Sequence, residues 1–278
     1  MAREIIRSSD GAEKKPVTRA AEEAVKEEPK KEPQVPAKDR KSKALPYRIF
    51  AWVLWILAIG FEVLTILVLT KCLSFGPKVS IWIPIVIGIV LDMACAIAAA
   101  QLWKKANHIN PPSKKNKFLF YLISELGVIM ACICFIPLIV MLIKNKELDK
   151  KTKIIVTIVA IVALLITSVA SADFDPISKE ELDAAEEVIT DEVYWTAFGR
   201  KYHTEEDCQA IKNPQPLYAG TVTEAVEAGR GSLCAFCAAR HPEYAEAGVK
   251  TEDGTAAELK DLEIITTTLP VVTTVGGE

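Results

Sequence analysis

The sequence predicts an all-α membrane domain, a bundle of four transmembrane helices, joined to a small α+β metal-binding domain. Half of the 278 residues are hydrophobic, and residues 48–172 contain four long apolar runs. About 20 apolar residues are enough to cross a bilayer. Nearer the carboxyl end, one histidine–cysteine pair and one cysteine–cysteine pair lie in a segment rich in acidic residues. These two observations carry the prediction.

The first 46 residues are rich in Lys, Glu, Ala and Pro, as in KEEPKKEPQVPAKDRKSK. Such a composition cannot bury enough apolar surface to offset the entropy lost on ordering. The stretch also lacks the apolar centre of a cleaved signal peptide. We therefore predict a disordered charged tail over residues 1–46.

Four transmembrane helices are predicted within residues 47–172. Tyr47, Trp52 and Trp55 lie at the start of the first run, as expected for aromatic side chains at a membrane interface. Short loops between the runs imply an antiparallel bundle in contact with the lipid bilayer. The runs cover about residues 48–70, 79–103, 118–143 and 154–172.

The distribution of Lys and Arg near the span ends predicts the orientation, because cytoplasmic loops carry an excess of both. With both termini in the cytoplasm, 11 of these residues lie inside and 7 outside. We therefore predict a multi-pass cell-membrane protein with both termini cytoplasmic. The fourth run argues otherwise: a Lys cluster precedes it and an A-x-A-like sequence, Ala170–Ala172, ends it. This pattern is typical of a signal anchor whose carboxyl end lies outside.

Three carboxylic acids lie within the first three predicted spans: Glu62, Asp92 and Glu125. Acids in hydrocarbon are costly and tend to face the bundle interior, where they are candidates for a proton or cation path. The predicted topology places them at a similar depth, so they could form one polar site. The structural alternative is a set of protonated acids that hydrogen-bond between helices.

The chain beyond the last apolar run is strongly acidic. Residues 173–278 contain 22 Asp and Glu against 8 Lys and Arg, a difference of −14. Ser178 and Glu181 form a capping-box pattern at the start of a short amphipathic helix. The predicted segments are an acidic, solvated stalk helix over 173–191, a metal-binding module over 192–250 and a flexible tail over 251–278.

Two ligand pairs in the module have the spacing H-x4-C and C-x2-C. Three cysteines cannot all form internal disulfides, whereas a histidine completes a four-ligand Cys3His set. Four protein ligands leave no position for a catalytic water, so we predict a structural Zn²⁺ site and no enzyme. Iron–sulfur ligation is the alternative, and His241 could replace His203 as a ligand. The predicted ligands are His203, Cys208, Cys234 and Cys237.

The local pattern around these ligands predicts a small mixed fold. Alternating residues of high strand propensity predict a β-hairpin. A capping box at Thr221 and Glu224 opens a helix that Gly229 ends. The predicted hairpin joins Val193–Phe198 to Lys201–His203, and a helical turn over Glu205–Lys212 and a strand over Leu217–Ala219 follow it.

The module resembles the Ada-like metal-binding domain, a zinc fold of the bacterial DNA methylphosphotriester repair protein that is also appended to nucleases and bacterial membrane proteins. The resemblance covers residues 193–240 and implies a zinc-containing α+β fold in a bacterial membrane protein. In the repair protein the first ligand is the methyl-accepting cysteine, whereas His203 is the residue at that position here. The matching residues are Tyr194, Gly199, Tyr202, His203, Cys208, Thr221–Ala225, Ala228, Gly229, Cys234 and Cys237.

The expected function is display of a zinc-stabilised module at the membrane for interaction with another protein. Leu233 replaces the usual proline, and the basic residues around the C-x2-C pair are missing. Nucleic-acid affinity depends on Lys and Arg contacts to phosphates, so a nucleic-acid partner is not expected. The alternatives are a small transporter that uses the intramembrane acids and a membrane-tethered accessory of nucleic-acid processing.

Overall fold

The computed structural model of the chain describes residues 5–7, 37–73, 80–146, 148–212 and 216–251. It divides into two compact units. The helical unit is Val35–Pro176, and the mixed unit combines Met1–Gln34 with Ile177–Glu278. Most of the predicted charged tail, and the predicted flexible tail beyond Thr251, lie outside the described residues.

The described part of the helical unit contains five helices. They are α1 (Ala37–Leu69), α2 (Trp82–Ile109), α3 (Lys117–Ser124), α4 (Leu126–Lys144) and α5 (Lys150–Ser171). Helix α1 packs along α2, α4 packs against α5, and α2 also contacts α4 and α5. Four of the described helices are long and apolar enough to cross a membrane, over Asp39–Leu69, Trp82–Ile109, Leu126–Lys144 and Lys150–Ser171.

Helix α1 begins at Ala37, before the first apolar run. The prediction of disorder is therefore wrong for residues 37–46. Ala44 is buried in a small cluster with Ala106 and Ile109 near the end of α2. The composition of this stretch does not favour a helix by itself. Packing of Ala44 against α2 stabilises the helix, because most helical stability in proteins comes from tertiary packing.

The third predicted span is two helices, α3 and α4, that meet at Glu125. The Ile123 carbonyl accepts hydrogen bonds from Trp103 Nε1 at 2.8 Å and from Asn107 Nδ2 at 3.3 Å, both on α2. Side chains that enter the helical hydrogen-bond ladder are a recognised cause of a break. Gly127 permits the helices to come close at this point, since a Cβ there would lie 2.9 Å from Ala100 Cβ.

The described part of the mixed unit contains two sheets and four α-helices. Its elements are β1 (Ile5–Arg7), α6 (Lys179–Val188), β2 (Val193–Thr196), β3 (Lys201–Tyr202), a 3-10 turn (Gln209–Ile211), β4 (Leu217–Gly220), α7 (Val222–Glu227), β5 (Ser232–Leu233), α8 (Ala235–Arg240) and α9 (Pro242–Glu246). A three-stranded sheet has the order β1-β4-β2, in which β1 is parallel and β2 antiparallel to β4. A second sheet pairs β3 and β5 in parallel.

The predicted hairpin of β2 and β3 is reduced to one bridge. The backbone of Tyr194 exchanges two hydrogen bonds with that of His203, of 2.7 and 2.8 Å. Beyond this bridge, β2 pairs with β4 and β3 with β5. The predicted hairpin is therefore present only at this bridge, because each strand has its main partner later in the chain.

Helix α7 begins and ends as the local pattern predicts. Both reciprocal bonds of the capping box are present: Thr221 Oγ1 accepts from the Glu224 N–H, and the Glu224 carboxylate accepts from the Thr221 N–H. Gly229 follows the helix with φ +86°, a conformation that favours glycine. This part of the module is confirmed.

Helix α6, the predicted stalk, is part of the core of the mixed unit. Its capping box at Ser178 and Glu181 is confirmed, but the helix is not a solvated spacer. Leu182 and Ala185 are buried, as are Ile177 before the helix and Ile189 after it, in one cluster with the sheet residues. Thr223 on α7 also donates a hydrogen bond to Glu186. The stalk interpretation rested on the acidic face of α6 and did not account for its apolar face, which is buried in the core. The interpretation is therefore wrong.

Strand β1 comes from the first residues of the chain, which composition predicts to be disordered. Ile5, Ile6 and Arg7 pair with Leu217, Tyr218 and Ala219 of β4. Ile5 is buried in the same core cluster, and Arg7 forms an ion pair of 3.1 Å with Glu192. Disorder is therefore the wrong prediction for these three residues, because a neighbouring strand edge supplies hydrogen bonds and buried surface.

Replacing Ile5 with aspartate should destabilise the mixed unit by about 2 kcal/mol, since burying an isoleucine side chain is worth about 1.5–3 kcal/mol. Hydrogen exchange of the full-length protein would show faster exchange of the β4 amides. An Arg7→Ala variant is the control, because its ion pair is partly exposed and should contribute less than about 1 kcal/mol. Unchanged β4 protection in the Ile5 variant would contradict the pairing.

Candidate metal centre

Four side chains of the mixed unit form a buried cluster that could hold a metal ion. Their ligand atoms all lie within 4.8 Å of one another, and all four residues are buried. His203 Nδ1 lies 4.0 Å from Cys237 Sγ. The cluster is the set predicted from the spacing: His203, Cys208, Cys234 and Cys237.

The parallel pairing of β3 and β5 brings the two halves of the cluster together. Tyr202 is opposite Leu233 in this register, so the next residues, His203 and Cys234, leave the same end of the sheet side by side. The Cys234 N–H donates a hydrogen bond of 3.0 Å to the Tyr202 carbonyl. Parallel neighbours run in the same direction, so residues that follow a paired position stay adjacent.

The other two ligands come from tight turns. Cys237 lies in the first turn of α8, whose N-cap is Cys234. Cys208 precedes the 3-10 turn, and its N–H donates to the Glu205 carbonyl at 3.3 Å. The predicted helical turn over Glu205–Lys212 is thus limited to Gln209–Ile211.

The thiols are far from water and close to each other. Burial, followed by the neighbouring Cys237 and Cys234 thiols, raises the pKa of Cys208 to about 12. A cation would reverse this effect, because metal ligation stabilises the thiolate form and releases the proton. The cluster therefore has the donor chemistry of a closed metal site.

The remaining histidines lie outside this cluster. His241, the alternative ligand, faces two carboxylates: Nε2 lies 3.4 Å from Glu205, and Nδ1 lies 3.1 Å from Glu243. The pKa of the exposed Glu243 carboxyl is lowered, first by a hydrogen bond from its own backbone N–H and then by the hydrogen bond and charge of His241. His203 rather than His241 therefore completes the cysteine set.

His108 is in the last turn of α2, not in the loop after it. Its Nε2 lies 3.5 Å from an oxygen of Asp173, just beyond α5. Burial alone would raise the pKa of the Asp173 carboxyl. The His108 hydrogen bond and charge, the Asp175 N–H and the Lys104 charge outweigh burial and lower the Asp173 pKa. This pairing closes one end of the helical unit.

The three acids of the predicted polar site do not group together. Glu62 on α1 and Asp92 on α2 interact electrostatically with each other, and Cys134 on α4 lies beside Asp92. Glu125 lies at the α3–α4 junction, outside the four candidate spans, and interacts with Asp173 and Lys104 instead. Sequence reasoning missed Cys134, because a cysteine in an apolar run has no distinguishing signal.

The four buried donors form a group that could hold a metal ion. The chain matches no family model, no curated protein and no solved structure.

Proposed function

We propose that the chain is a multi-pass membrane protein that displays a zinc-stabilised module in the cytoplasm for binding another protein. The observation that carries the proposal is the closed cluster of one histidine and three cysteines, all buried. A catalytic zinc site keeps an open position for water or substrate, whereas a structural site has four protein ligands. Four buried donors support the structural role.

Zinc is the ion that fits this donor set best, since thiolate and imidazole ligands suit it and it has no redox chemistry. In a tetrahedral site with Zn–S bonds of about 2.3 Å, two sulfur atoms lie about 3.8 Å apart. The separations within the cluster, up to 4.8 Å, are close to that distance. An iron–sulfur centre is the second candidate, which metal analysis distinguishes.

The Ada-like resemblance remains part of this proposal as a likeness of ligand order and local structure. A capped helix, α7, precedes the C-x2-C pair, as the resemblance implies. Methyl transfer is not proposed, because the position of the reactive cysteine is His203, itself buried among the other ligands. The site is better suited to hold the fold together.

Nucleic acid is a poor partner for the module. Three of its basic side chains are engaged within the unit: Arg230 donates to the carbonyls of Thr196 and Ala197, Arg240 pairs with Glu205, and Lys201 donates to Ser232. Phosphate contacts need accessible Lys and Arg side chains. The acidic balance of −14 over residues 173–278 disfavours them further.

The pairing of β1 with β4 supports the proposed topology. Strand β1 precedes the first candidate span and β4 follows the fourth, so a chain that pairs with itself here has both ends on the same side of the membrane. Any even number of spans gives this outcome, whichever side of the membrane the two ends occupy. The excess of Lys and Arg then favours the cytoplasm, whose reducing conditions keep the thiols available for a metal.

Two exposed phenylalanines provide the surface for a protein partner. Phe198, in the turn between β2 and β3, is 91% exposed, and Phe236, inside the C-x2-C pair, is 50% exposed. They are the large hydrophobic residues exposed among the described part of the mixed unit. Aromatic side chains dominate binding hot spots. Because Phe236 lies between two ligands, the metal would hold it in place.

Photocrosslinking in cells tests this function. A photoreactive phenylalanine analogue at position 198 or 236 of the full-length protein should crosslink to a defined protein. The crosslink should disappear in a Cys237→Ser background, since loss of the metal releases the surface. Position 187, exposed on α6, is the control and should give no such product.

The opposite results would end the proposal. A crosslink that persists in the Cys237→Ser background would show that partner binding does not depend on the metal-stabilised fold of the module. The absence of any specific product at both phenylalanine positions would remove the protein partner, and a membrane phenotype confined to variants of the intramembrane acids would favour transport.

A further inference from the structure

Two buried carboxylic acids interact electrostatically inside the helical unit. Glu62 on α1 is 5% exposed and Asp92 on α2 is 1% exposed. The two side chains interact electrostatically, whereas Glu125 interacts with groups at the end of the unit. Two neighbouring helices therefore place one carboxyl pair within an apolar bundle.

The polar atoms of the pair are unsatisfied. Within the described part of the chain, both carboxylate oxygens of Asp92 and Oε1 of Glu62 are buried without a hydrogen-bond partner. A buried polar atom without a partner is costly, and a buried unpaired charge is costlier still. Both side chains are more than nine-tenths buried, so these oxygens have neither water nor a hydrogen-bond partner to offset the cost.

Among the described residues, no positively charged side chain is found to interact with the pair. The other titratable side chains that interact with Asp92 are the thiols of Cys95 on α2 and Cys134 on α4. Helix α5, which packs on α2 and α4, has no titratable residue between positions 154 and 171. Burial and charge repulsion therefore disfavour a state in which both carboxyls are ionised.

The surrounding helices leave little room for rearrangement. Gly88 precedes Asp92 by one helical turn, and a Cβ there would overlap the hydroxyl of Thr65 on α1. On α4, Pro137 has no N–H, so the helical bond to the Ile133 carbonyl is missing near Cys134. The close approach of α1 and α2 at Gly88 therefore limits movement of the two helices that carry the acids.

We propose that Glu62 and Asp92 form a proton-binding site inside the bundle, in which the two carboxyls share a proton and exchange it as pH changes. The site is independent of the metal-binding module, since its residues belong to the helical unit alone. Ionisable pairs within a membrane span commonly mark proton relays. The proton is the ligand that satisfies two acids without introducing a charge that the bundle cannot balance.

Labelling with dicyclohexylcarbodiimide tests the proposal. This apolar reagent adds to a protonated carboxyl: the acid proton moves to a carbodiimide nitrogen, the carboxyl oxygen bonds to the central carbon, and rearrangement gives a stable N-acylurea. The full-length protein in membrane vesicles would be labelled across a pH series and mapped by mass spectrometry. We expect Glu62 or Asp92 to be labelled at least about tenfold more at low pH than at high pH, because only the protonated acid reacts.

Conservative variants separate a shared proton from two independent acids. In Glu62→Gln, labelling of Asp92 should be lost at a pH about one unit lower than in the wild type, because a like-charged neighbour is gone. The reciprocal Asp92→Asn should act in the same direction on Glu62. Glu125→Gln is the matched control and should leave both unchanged, since Glu125 interacts with Lys104 and Asp173 instead.

Three results would overturn the proposal. Wild-type protein that stays unlabelled at both positions throughout the series has no accessible proton site there. Labelling that does not change with pH means that no proton is exchanged. Protection by sodium chloride but not by choline chloride at equal ionic strength assigns the site to a metal cation. The wild-type series alone decides these points, so the result does not depend on whether a variant folds.

Discussion

Replacing Cys237 with serine is expected to remove both the metal and the fold of the mixed unit. The four donors are buried together, so the loss of one thiolate opens the coordination shell in the centre of the core. Apparent binding free energies of structural zinc are about 10–16 kcal/mol, which equals or exceeds the total stability of a typical domain, about 5–15 kcal/mol. No other single substitution considered for this unit should have so large an effect.

Metal content and protease resistance measure this effect. We expect about one zinc per chain in the purified full-length wild type and a small fraction of that in the variant, with rapid cleavage within residues 177–251. Chelation of the wild type should reproduce the result. Cys72→Ser is the control, because Cys72 is exposed and outside the cluster. A metal-free wild type that resists proteolysis would contradict the structural role.

The histidine provides a second test with a graded outcome. His203→Ala leaves three ligands and should lose zinc, whereas His203→Cys restores a four-ligand set of a kind common in structural sites. If His203→Cys retains zinc and His203→Ala does not, zinc binding depends on the number of metal-donating side chains rather than on the imidazole ring of His203.

The second large effect is expected from Leu182→Ala on α6. Leu182 is fully buried in the core of the mixed unit, together with Val193, Leu217 and Val226. Truncation of a buried leucine to alanine costs about 2–5 kcal/mol, from lost transfer free energy and the cavity that remains. Denaturant unfolding of the full-length protein, followed by hydrogen exchange of the mixed unit, would measure the loss.

A solvated stalk predicts a different result. If α6 were only a spacer, Leu182→Ala would be neutral, because alanine is an excellent helix former. Glu187→Ala, on the exposed face of the same helix, is the matched control and should change stability by less than about 0.5 kcal/mol. Equal, small effects of the two substitutions would restore the stalk interpretation.

Local patterns account for the parts of the structure that were predictable. The long apolar runs identify the candidate spans, and the ligand spacing identifies all four members of the buried cluster. The capping boxes at Ser178 and Thr221 are both formed. Each of these features depends on one continuous segment or, for the ligands, on two short segments, so its physical cause can be read along the chain.

Non-local contacts account for the errors. Ile5–Arg7 was expected to be disordered, yet it pairs with a strand more than two hundred positions later. Strands β2 and β3 pair mainly with β4 and β5 rather than with each other. The third predicted span is divided near the Ile123 carbonyl, which accepts hydrogen bonds from Trp103 and Asn107. In each case the deciding partner lies far away in sequence.

The sequence by itself therefore determined the four apolar regions that contain the candidate spans, the four residues of the cluster that could hold a metal ion, and the starts of two helices. Only the tertiary structure decided that α6 belongs to the core, that β3 and β5 align the ligands, and that Glu62 and Asp92 pair while Glu125 stands apart. The physical reason is the range of the interactions. Hydrophobic periodicity and capping act within one element, whereas strand register and the grouping of charges depend on which distant elements pack together.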